Sequence, residues 1–306
     1  SPGRQAFLQF AFIAAVAVVV ALGVRRGIEV VSKVKMVALF VVLIGLVGYN
    51  AVTIGLSPAL RFLFYPDFSA MTVLTALGQA LFSTAIGVGV LMTYAAYLPR
   101  GVSLPQSAMI VSGSVIFIAM MAGLAIFPAV LFYGLAPTEG PNLIFVTLPV
   151  AFGGMPGGRL VSIAFFGLIA LGAFTTAVGM LEPVVAWLME RTGWKRAPVA
   201  LGTALAIYAV GLPSLLSFNL LKDVHPLNAL PPFAGKTFFE ILDFGIADLL
   251  LPLNALLIAV FAGWAIRRTM TPEVTDLKDG GFRLWHVLLA FVSPAAIIGL
   301  MIHILA

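Results

Sequence analysis

The sequence contains no cysteine, and only 9% of its 306 residues are charged. The absence of cysteine excludes disulfide bridges and thiolate sites. A soluble domain carries about 25% charged residues. The low charge, with 61% hydrophobic residues and a mean hydropathy of +1.12, therefore excludes a soluble protein. The three histidines lack metal-binding spacing, and the sequence has no catalytic triad, phosphate-binding loop or zinc motif, so nothing points to an enzyme.

Eight apolar runs are long enough to cross a bilayer, which takes about 20 helical residues. They predict an all-α polytopic membrane protein with spans at about 6–23, 28–55, 72–97, 106–133, 160–189, 197–217, 239–266 and 284–305. Twelve of the 17 Lys and Arg residues fall in loops on one side of these spans. Because cytoplasmic loops are enriched in Lys and Arg, this bias predicts a multi-pass protein of the plasma (inner) membrane. It explains the net positive charge, so no nucleic acid partner is predicted.

The run 72–97 is interrupted in its middle by the sequence Phe-Ser-Thr-Ala-Ile-Gly-Val-Gly, residues 82–89. Each glycine weakens a helix by about 1 kcal/mol relative to alanine, and the two hydroxyls can bond to freed backbone groups. A helix in lipid can break only where its freed polar groups face protein, water or a ligand. The pattern is typical of a transport site at the membrane midplane. A helix-packing motif of small residues explains the same composition, and the segment alone does not separate the two.

Polar residues in other spans are also candidates for function. The acidic residues Glu182, Asp243 and Asp248 fall within apolar runs, where a charge is costly and usually functional or paired. The alternative for Asp243 is a solvated group at the water interface. The adjacent hydroxyls of Thr175 and Thr176 offer hard oxygen ligands for a small cation, although threonine hydroxyls also bond back to their own helix.

Residues 134–159 are too apolar for a solvated loop and are broken by proline and glycine. We expect a re-entrant outer-loop hairpin within a single transmembrane domain of residues 1–306. The alternative is a short amphipathic stretch that rests on lipid headgroups.

Five stretches together resemble the neurotransmitter:sodium symporter family, and most closely its bacterial sodium-dependent amino-acid transporters: GQALFSTAIGVGVLMTYAAYLPR, AGLAIFPAVLFYG, NLIFVTLPVAFGGMPGGRL, LGAFTTAVGMLEPVVAWLMER and ILDFGIADLLLPLNALLIAVFAGW. The resemblance runs over essentially the whole chain in the family's order. It implies the leucine-transporter-like inverted-repeat fold in partial form, with about eight transmembrane helices of which one or more are broken. Matched in order, the chain looks like spans four to eleven. Since Ser1 looks like an internal position, we expect a fragment that lacks the first three spans.

The resemblance implies sodium-coupled symport of an amino acid, with no catalytic residue. The substrate would lie against Phe82, Ala85, Val88, Thr176 and Gly179. Sodium would be bound by Ser83 in a first site and by Gly172, Thr175 and Thr176 in a second. The gating residues would be Asp243 outside and Tyr97 with Glu190 inside.

Two departures from the family pattern leave the ion stoichiometry open. Val115 stands where relatives usually place an amide or carboxylate for the first sodium, and Ala119 leaves chloride dependence undecided. The residue pattern fixes neither the amino acid nor the oligomeric state. The alternative function is that of a non-transporting truncated relative or membrane scaffold. Sequence upstream of Ser1 discriminates between the two, because a symporter needs a glycine-interrupted first span there.

Overall fold

The computed structural model describes residues 2–23, 27–65, 68–99, 101–135, 137, 143–265 and 279–305. Every regular element within these residues is helical. Seven helices are long and apolar enough to span a membrane: Pro2–Ala21, Glu29–Thr53, Leu104–Phe132, Gly158–Thr192, Arg196–Leu216, Phe238–Ala265 and Gly280–Ile304. The all-helical multi-pass prediction is therefore confirmed. Six of the basic loop residues behind the orientation argument lie outside the described residues: Arg25, Arg26, Arg100, Arg267, Arg268 and Lys278.

We number the α-helices in chain order: α1 (Pro2–Ala21), α2 (Glu29–Thr53), α3 (Ser57–Phe64), α4 (Ala70–Thr84), α5 (Val90–Ala96), α6 (Leu104–Phe132), α7 (Leu148–Gly153), α8 (Gly158–Thr192), α9 (Arg196–Leu216), α10 (Phe238–Asp243), α11 (Leu251–Val260), α12 (Asp279–Val287) and α13 (Ser293–Leu305). A π-helical segment, Phe244–Leu250, joins α10 to α11, and a second, Leu288–Val292, joins α12 to α13. These junctions are continuous, so each pair forms one long helix.

The predicted span 72–97 is the discontinuous one. Helix α4 ends at Thr84, a 3-10 turn covers Ile86–Val88, and α5 starts at Val90. Ala85 and Gly89 flank the turn with left-handed φ values of +48° and +78°. A left-handed residue cannot continue a right-handed helix. The span therefore breaks within the segment that its composition indicated.

The first of two compact units comprises the described parts of residues 24–67 and 112–177. Its core is formed by buried apolar residues of α2, α6, α7 and α8: Leu43, Leu46, Ala125, Ala129, Val130, Leu148, Phe152, Val161 and Phe165. Helix α7 lies within the predicted hairpin 134–159, and its Leu148, Ala151 and Phe152 are buried. The hairpin itself and the single-domain assignment stay predictions.

Asn50 of α2 is 2% exposed and links α2 to α6. Its amide donates to the carbonyls of Leu124 (3.2 Å) and Ala125 (2.9 Å) on α6. Pro128 follows within the same helix, and because proline has no N–H, the carbonyl four residues earlier loses its helical partner. Asn50 thus satisfies the Leu124 carbonyl that the proline leaves open.

We expect Asn50→Leu to lower the free energy of unfolding by about 1 kcal/mol, the range measured for interhelical hydrogen bonds in membranes. Thermal unfolding in detergent micelles measures the loss. Thr53→Val on the same helix is the control, since the Thr53 hydroxyl is exposed and bonds only back to the Tyr49 carbonyl among the described contacts. Equal melting temperatures for the two variants would contradict the role of Asn50.

The second unit comprises the described parts of residues 1–23, 68–111 and 178–306. Helix α1 packs along α9, with the rings of Phe10 and Tyr208 5.4 Å apart. Helix α11 packs against the 3-10 turn of the broken span and against α13. The break in the span is thus held against a neighbouring helix of its own unit.

Candidate functional site

The outer part of the broken span presents polar and aromatic groups on an exposed surface. Gln79 donates from Nε2 to the Ser83 hydroxyl, 3.0 Å away, one helical turn later. Phe82 is 59% exposed, and the Thr84 hydroxyl bonds back to the Ala80 carbonyl at 2.7 Å. Among the residues predicted at this break, the Ser83 hydroxyl oxygen therefore accepts a hydrogen bond from the side-chain amide of Gln79.

The inner side of the break is tightly packed because Gly87 is buried against α11. A Cβ added to Gly87 would overlap the Leu251 carbonyl oxygen and lie 2.8 Å from Leu251 Cδ2. The side-chain amide of Asn254 donates to the Gly87 carbonyl at 2.6 Å. Only glycine allows α11 to approach the turn this closely.

We expect Gly87→Ala to destabilise the protein by roughly 1–3 kcal/mol, since the clash is with backbone that cannot rotate away. Melting in detergent micelles measures the change. Gly45→Ala on α2 is the matched control, because an added Cβ there meets nothing within 4 Å. If both alanine variants melt at the wild-type temperature, the packing described for the break is wrong.

The C-terminal half of α8 carries a fully buried carboxylate. Glu182 is 0% exposed and accepts a hydrogen bond from the Tyr97 hydroxyl at 2.9 Å. The guanidinium of Arg196 forms an ion pair with the other carboxylate oxygen. Arg196 also donates from Nε to the Val20 carbonyl, 2.7 Å away at the end of α1. One carboxylate therefore connects α8 with the end of α5 and with α9, and through Arg196 with α1.

Sequence reasoning did not identify Arg196 as the partner of Glu182, because Arg196 lies one residue before the predicted span 197–217. Arg196 is the first residue of α9. A buried carboxylate in a span requires a partner, and a basic residue at the start of the next span was the available signal. The predicted gate residues Tyr97 and Glu190 line a cavity of about 400 Å³ together with Arg196. The hydroxyl of Tyr97 bonds to Glu182, and Glu190 is exposed.

The predicted sodium ligands on α8 lie in the first unit. The Thr175 hydroxyl is 3.0 Å from the Gly172 carbonyl and 3.1 Å from the Leu171 carbonyl. Two of the proposed ligand oxygens are thus adjacent, although the hydroxyl bonds back to its own helix. A Cβ on Gly172 would meet nothing within 4 Å, and Thr176 is exposed. Hydroxyl and carbonyl oxygens fit the donor set that sodium prefers.

Gly179 lies on α8 in the second unit, where it is buried against Tyr94. A Cβ added there would be 3.3 Å from the Tyr94 hydroxyl, so the position accepts little beyond hydrogen. The other predicted pocket positions, Ala85 and Val88, are partly buried at the break. The small residues thus occur where the helices pack closely.

The acidic residues of the outer half of Phe238–Ala265 differ in their surroundings. Asp243 is exposed at the end of α10. Asp248 is partly buried and lines a cavity of about 410 Å³ with Gln79, Phe82 and His303. Within the part of the chain that the structure describes, no three His, Asp or Glu side chains group as metal ligands.

Comparison with known proteins identifies the family of this chain. Residues 3–305 match the model of the sodium:neurotransmitter symporter family. The chain belongs to that family. Members of the sodium:neurotransmitter symporter family are sodium-coupled transporters, so the chain is a multi-pass plasma membrane transporter-family protein and not an enzyme.

Individual relatives agree with this family assignment. It is 38% identical to the uncharacterized sodium-dependent transporter YhdH of Bacillus subtilis, over 100% of the chain and 68% of YhdH. It is 32% identical to an uncharacterized sodium-dependent transporter of Haemophilus influenzae, over 99% of the chain and 66% of that protein. The crystal structure of MhsT in complex with L-phenylalanine matches with a TM-score of 0.86 and 37% identity, over 97% of this chain and 67% of MhsT. The chain spans about two thirds of the length of these proteins.

Proposed function

We propose that this chain carries out sodium-coupled symport of an amino acid across the plasma membrane. The observation that carries the proposal is the broken span, where left-handed residues at 85 and 89 interrupt an otherwise apolar helix. Such a break supplies backbone groups that can bind a polar ligand at membrane depth. L-phenylalanine in the MhsT complex supports an amino acid as the ligand.

We place the substrate against the break. Phe82 provides an exposed ring, Ala85 and Val88 provide small, partly buried side chains, and Gly179 packs against Tyr94. The family resemblance also assigns to the substrate Thr176, whose exposed side chain lies on α8. Small residues around an aromatic ring suit an amino acid with a bulky side chain.

We place the coupling sodium ion at Gly172, Thr175 and Thr176 on α8. Ser83, with its oxygen held by Gln79, is the candidate ligand of a first sodium site. Sodium drives transport if it binds the outward-facing state more tightly than the inward-facing state, because an ion shifts an equilibrium only by its differential affinity. We propose that sodium favours the outward-facing state and that its release inside permits substrate release.

Access would be controlled at both ends. Exposed Asp243 is the proposed outer-gate carboxylate, and Tyr97 with Glu190 lines the inner cavity. The Glu182–Arg196 pair adds a fixed connection beside that inner gate. We keep the assignment of the chain to family spans four to eleven, with 134–159 as an outer hairpin, as part of this proposal.

Ligand binding in micelles tests the proposal directly. We expect the gene product that contains this chain to bind radiolabelled L-phenylalanine in NaCl at least tenfold more tightly than in KCl, a difference of about 1.4 kcal/mol. Competition by the other amino acids then defines the substrate. Binding of no amino acid in either salt would favour a non-transporting membrane scaffold, and binding that is equal in both salts would remove the sodium coupling.

A further inference from the structure

Asn254 is an amide in the middle of an apolar helix, and no family motif or sequence pattern discussed above assigns it a role. It lies on α11, and the flanking residues Leu253 and Ala255 are apolar. Its side-chain Nδ2 donates to the Gly87 carbonyl at 2.6 Å, across 167 residues of sequence. This bond joins α11 to the broken segment 85–89.

The break creates the need for such a donor. Carbonyls at an interrupted helix lose their regular partners, and in a bilayer they must be satisfied from elsewhere in the protein. The 3-10 turn satisfies the Ala85 and Ile86 carbonyls through the amides of Val88 and Gly89, each at 3.1 Å. The Gly87 carbonyl is reached by Asn254 from the neighbouring helix.

The same face of α11 makes the second contact with Gly87. Leu251 and Asn254 are three residues apart, which places them on one side of the helix. Leu251 packs against the Gly87 backbone so closely that no Cβ fits, and Asn254 bonds to the carbonyl. The approach that only glycine permits is what brings the amide within hydrogen-bonding distance.

Helix α11 also leads to the proposed outer gate. The π-helical segment Phe244–Leu250 connects it without interruption to α10, which ends at Asp243. A displacement of the gate residue can therefore reach the break through one continuous helix and one hydrogen bond.

We propose that Asn254 is a positioning residue that holds the break in its ligand-binding conformation and couples it to the helix of the outer gate. The inference rests on the proposed function in so far as the break binds substrate. The clasp itself, meaning the contact of Asn254 and Leu251 with Gly87, is independent of any ligand.

Hydrogen–deuterium exchange of the ligand-free, sodium-free gene product in micelles tests the clasp. In Asn254→Leu we expect the amides of Val88 and Gly89 to exchange about tenfold faster than in the wild type. Asn254→Asp retains the shape but places an oxygen opposite the Gly87 carbonyl, so it should exchange at least as fast. Asn254→Gln retains the amide and should recover part of the protection. It also serves as the test variant if the leucine variant does not fold.

Asn228→Leu is the matched control, since the side-chain Oδ1 of Asn228 accepts a hydrogen bond from the Gly235 backbone amide in an exposed loop. It should leave exchange at residues 85–93 unchanged. If the leucine and aspartate variants of Asn254 exchange these amides at the wild-type rate, the proposed clasp is contradicted.

A second measurement separates the clasp from the proposed function. Asn254→Leu should weaken sodium-dependent binding of L-phenylalanine at least tenfold while Asn228→Leu binds as the wild type does. Wild-type protein that binds no amino acid, with faster exchange in Asn254→Leu, would contradict the proposed function and retain the clasp. Faster exchange with unchanged binding would overturn the positioning role.

Discussion

Replacing Thr175 with valine is expected to weaken the sodium dependence of amino-acid uptake. The substitution keeps the volume and the β-branch of the side chain and removes the oxygen that lies 3.0 Å from the Gly172 carbonyl. A lost ligand at a site built from uncharged oxygens should raise the sodium concentration for half-maximal uptake at least tenfold, which is about 1.4 kcal/mol. Initial uptake rates at a series of sodium concentrations, with total salt held constant, measure the shift.

Thr203→Val provides the matched control for this prediction. The Thr203 hydroxyl on α9 bonds back to the Val199 carbonyl at 2.8 Å, as the Thr175 hydroxyl does to its own helix. If back-bonding is all that Thr175 does, the two valine variants should behave alike and retain sodium-dependent uptake. A shift confined to Thr175→Val supports the ion site, and identical behaviour contradicts it.

Replacing Arg196 with alanine is expected to destabilise the protein by roughly 3–5 kcal/mol, because it leaves the fully buried Glu182 carboxylate without its positive partner. The side chain of Arg196 is 21% exposed and that of Glu182 is 0% exposed, so solvent compensates little of the loss. Melting of the purified variant in detergent micelles measures the effect. Restoration of stability in the double variant Glu182→Leu with Arg196→Leu would show that the uncompensated charge was the cause.

Lys222→Ala is the control for the ion pair. Lys222 and Asp223 lie 4.0 Å apart with exposed side chains, and such pairs contribute about 0–1 kcal/mol. Its melting temperature should match the wild type. An Arg196→Ala variant as stable as Lys222→Ala would contradict the buried pair.

Local composition predicted the helix break because its cause is local. Glycines at 87 and 89 lie one residue apart in a span, and Gly89 does adopt a left-handed conformation. The other left-handed residue is Ala85, which no propensity would select, since an alanine pays a steric cost there. Packing of α11 against the turn, and not the intrinsic preference of alanine, accounts for the left-handed conformation of Ala85.

The partners of the buried polar groups could not be predicted from spacing. Glu182 was recognisable as a charge within a span, but its partners lie 85 residues before it and 14 residues after it. Asn50 and Asn254 were missed because a single amide in an apolar run has no periodic signature. Each bonds to a carbonyl beside a helix irregularity, at Pro128 or at Gly87, and that pairing exists only in three dimensions. Asn residues in spans that also face a proline or glycine interruption deserve testing as backbone partners.

Asp243, Glu190 and Thr176 are all exposed. Their assignment follows from the family pattern alone, in contrast to Ser83 and Tyr97, whose side chains have defined partners.

Uptake into proteoliposomes is the measurement that tests the central claim most directly. The gene product that contains this chain is reconstituted, and radiolabelled L-phenylalanine is added outside with an inward sodium gradient or with potassium in its place. We predict accumulation above the equilibrium level with sodium, and its collapse when a sodium ionophore dissipates the gradient. Accumulation that is the same with potassium would contradict sodium coupling. Absence of uptake for every amino acid tested would contradict the assignment of this chain to amino-acid symport.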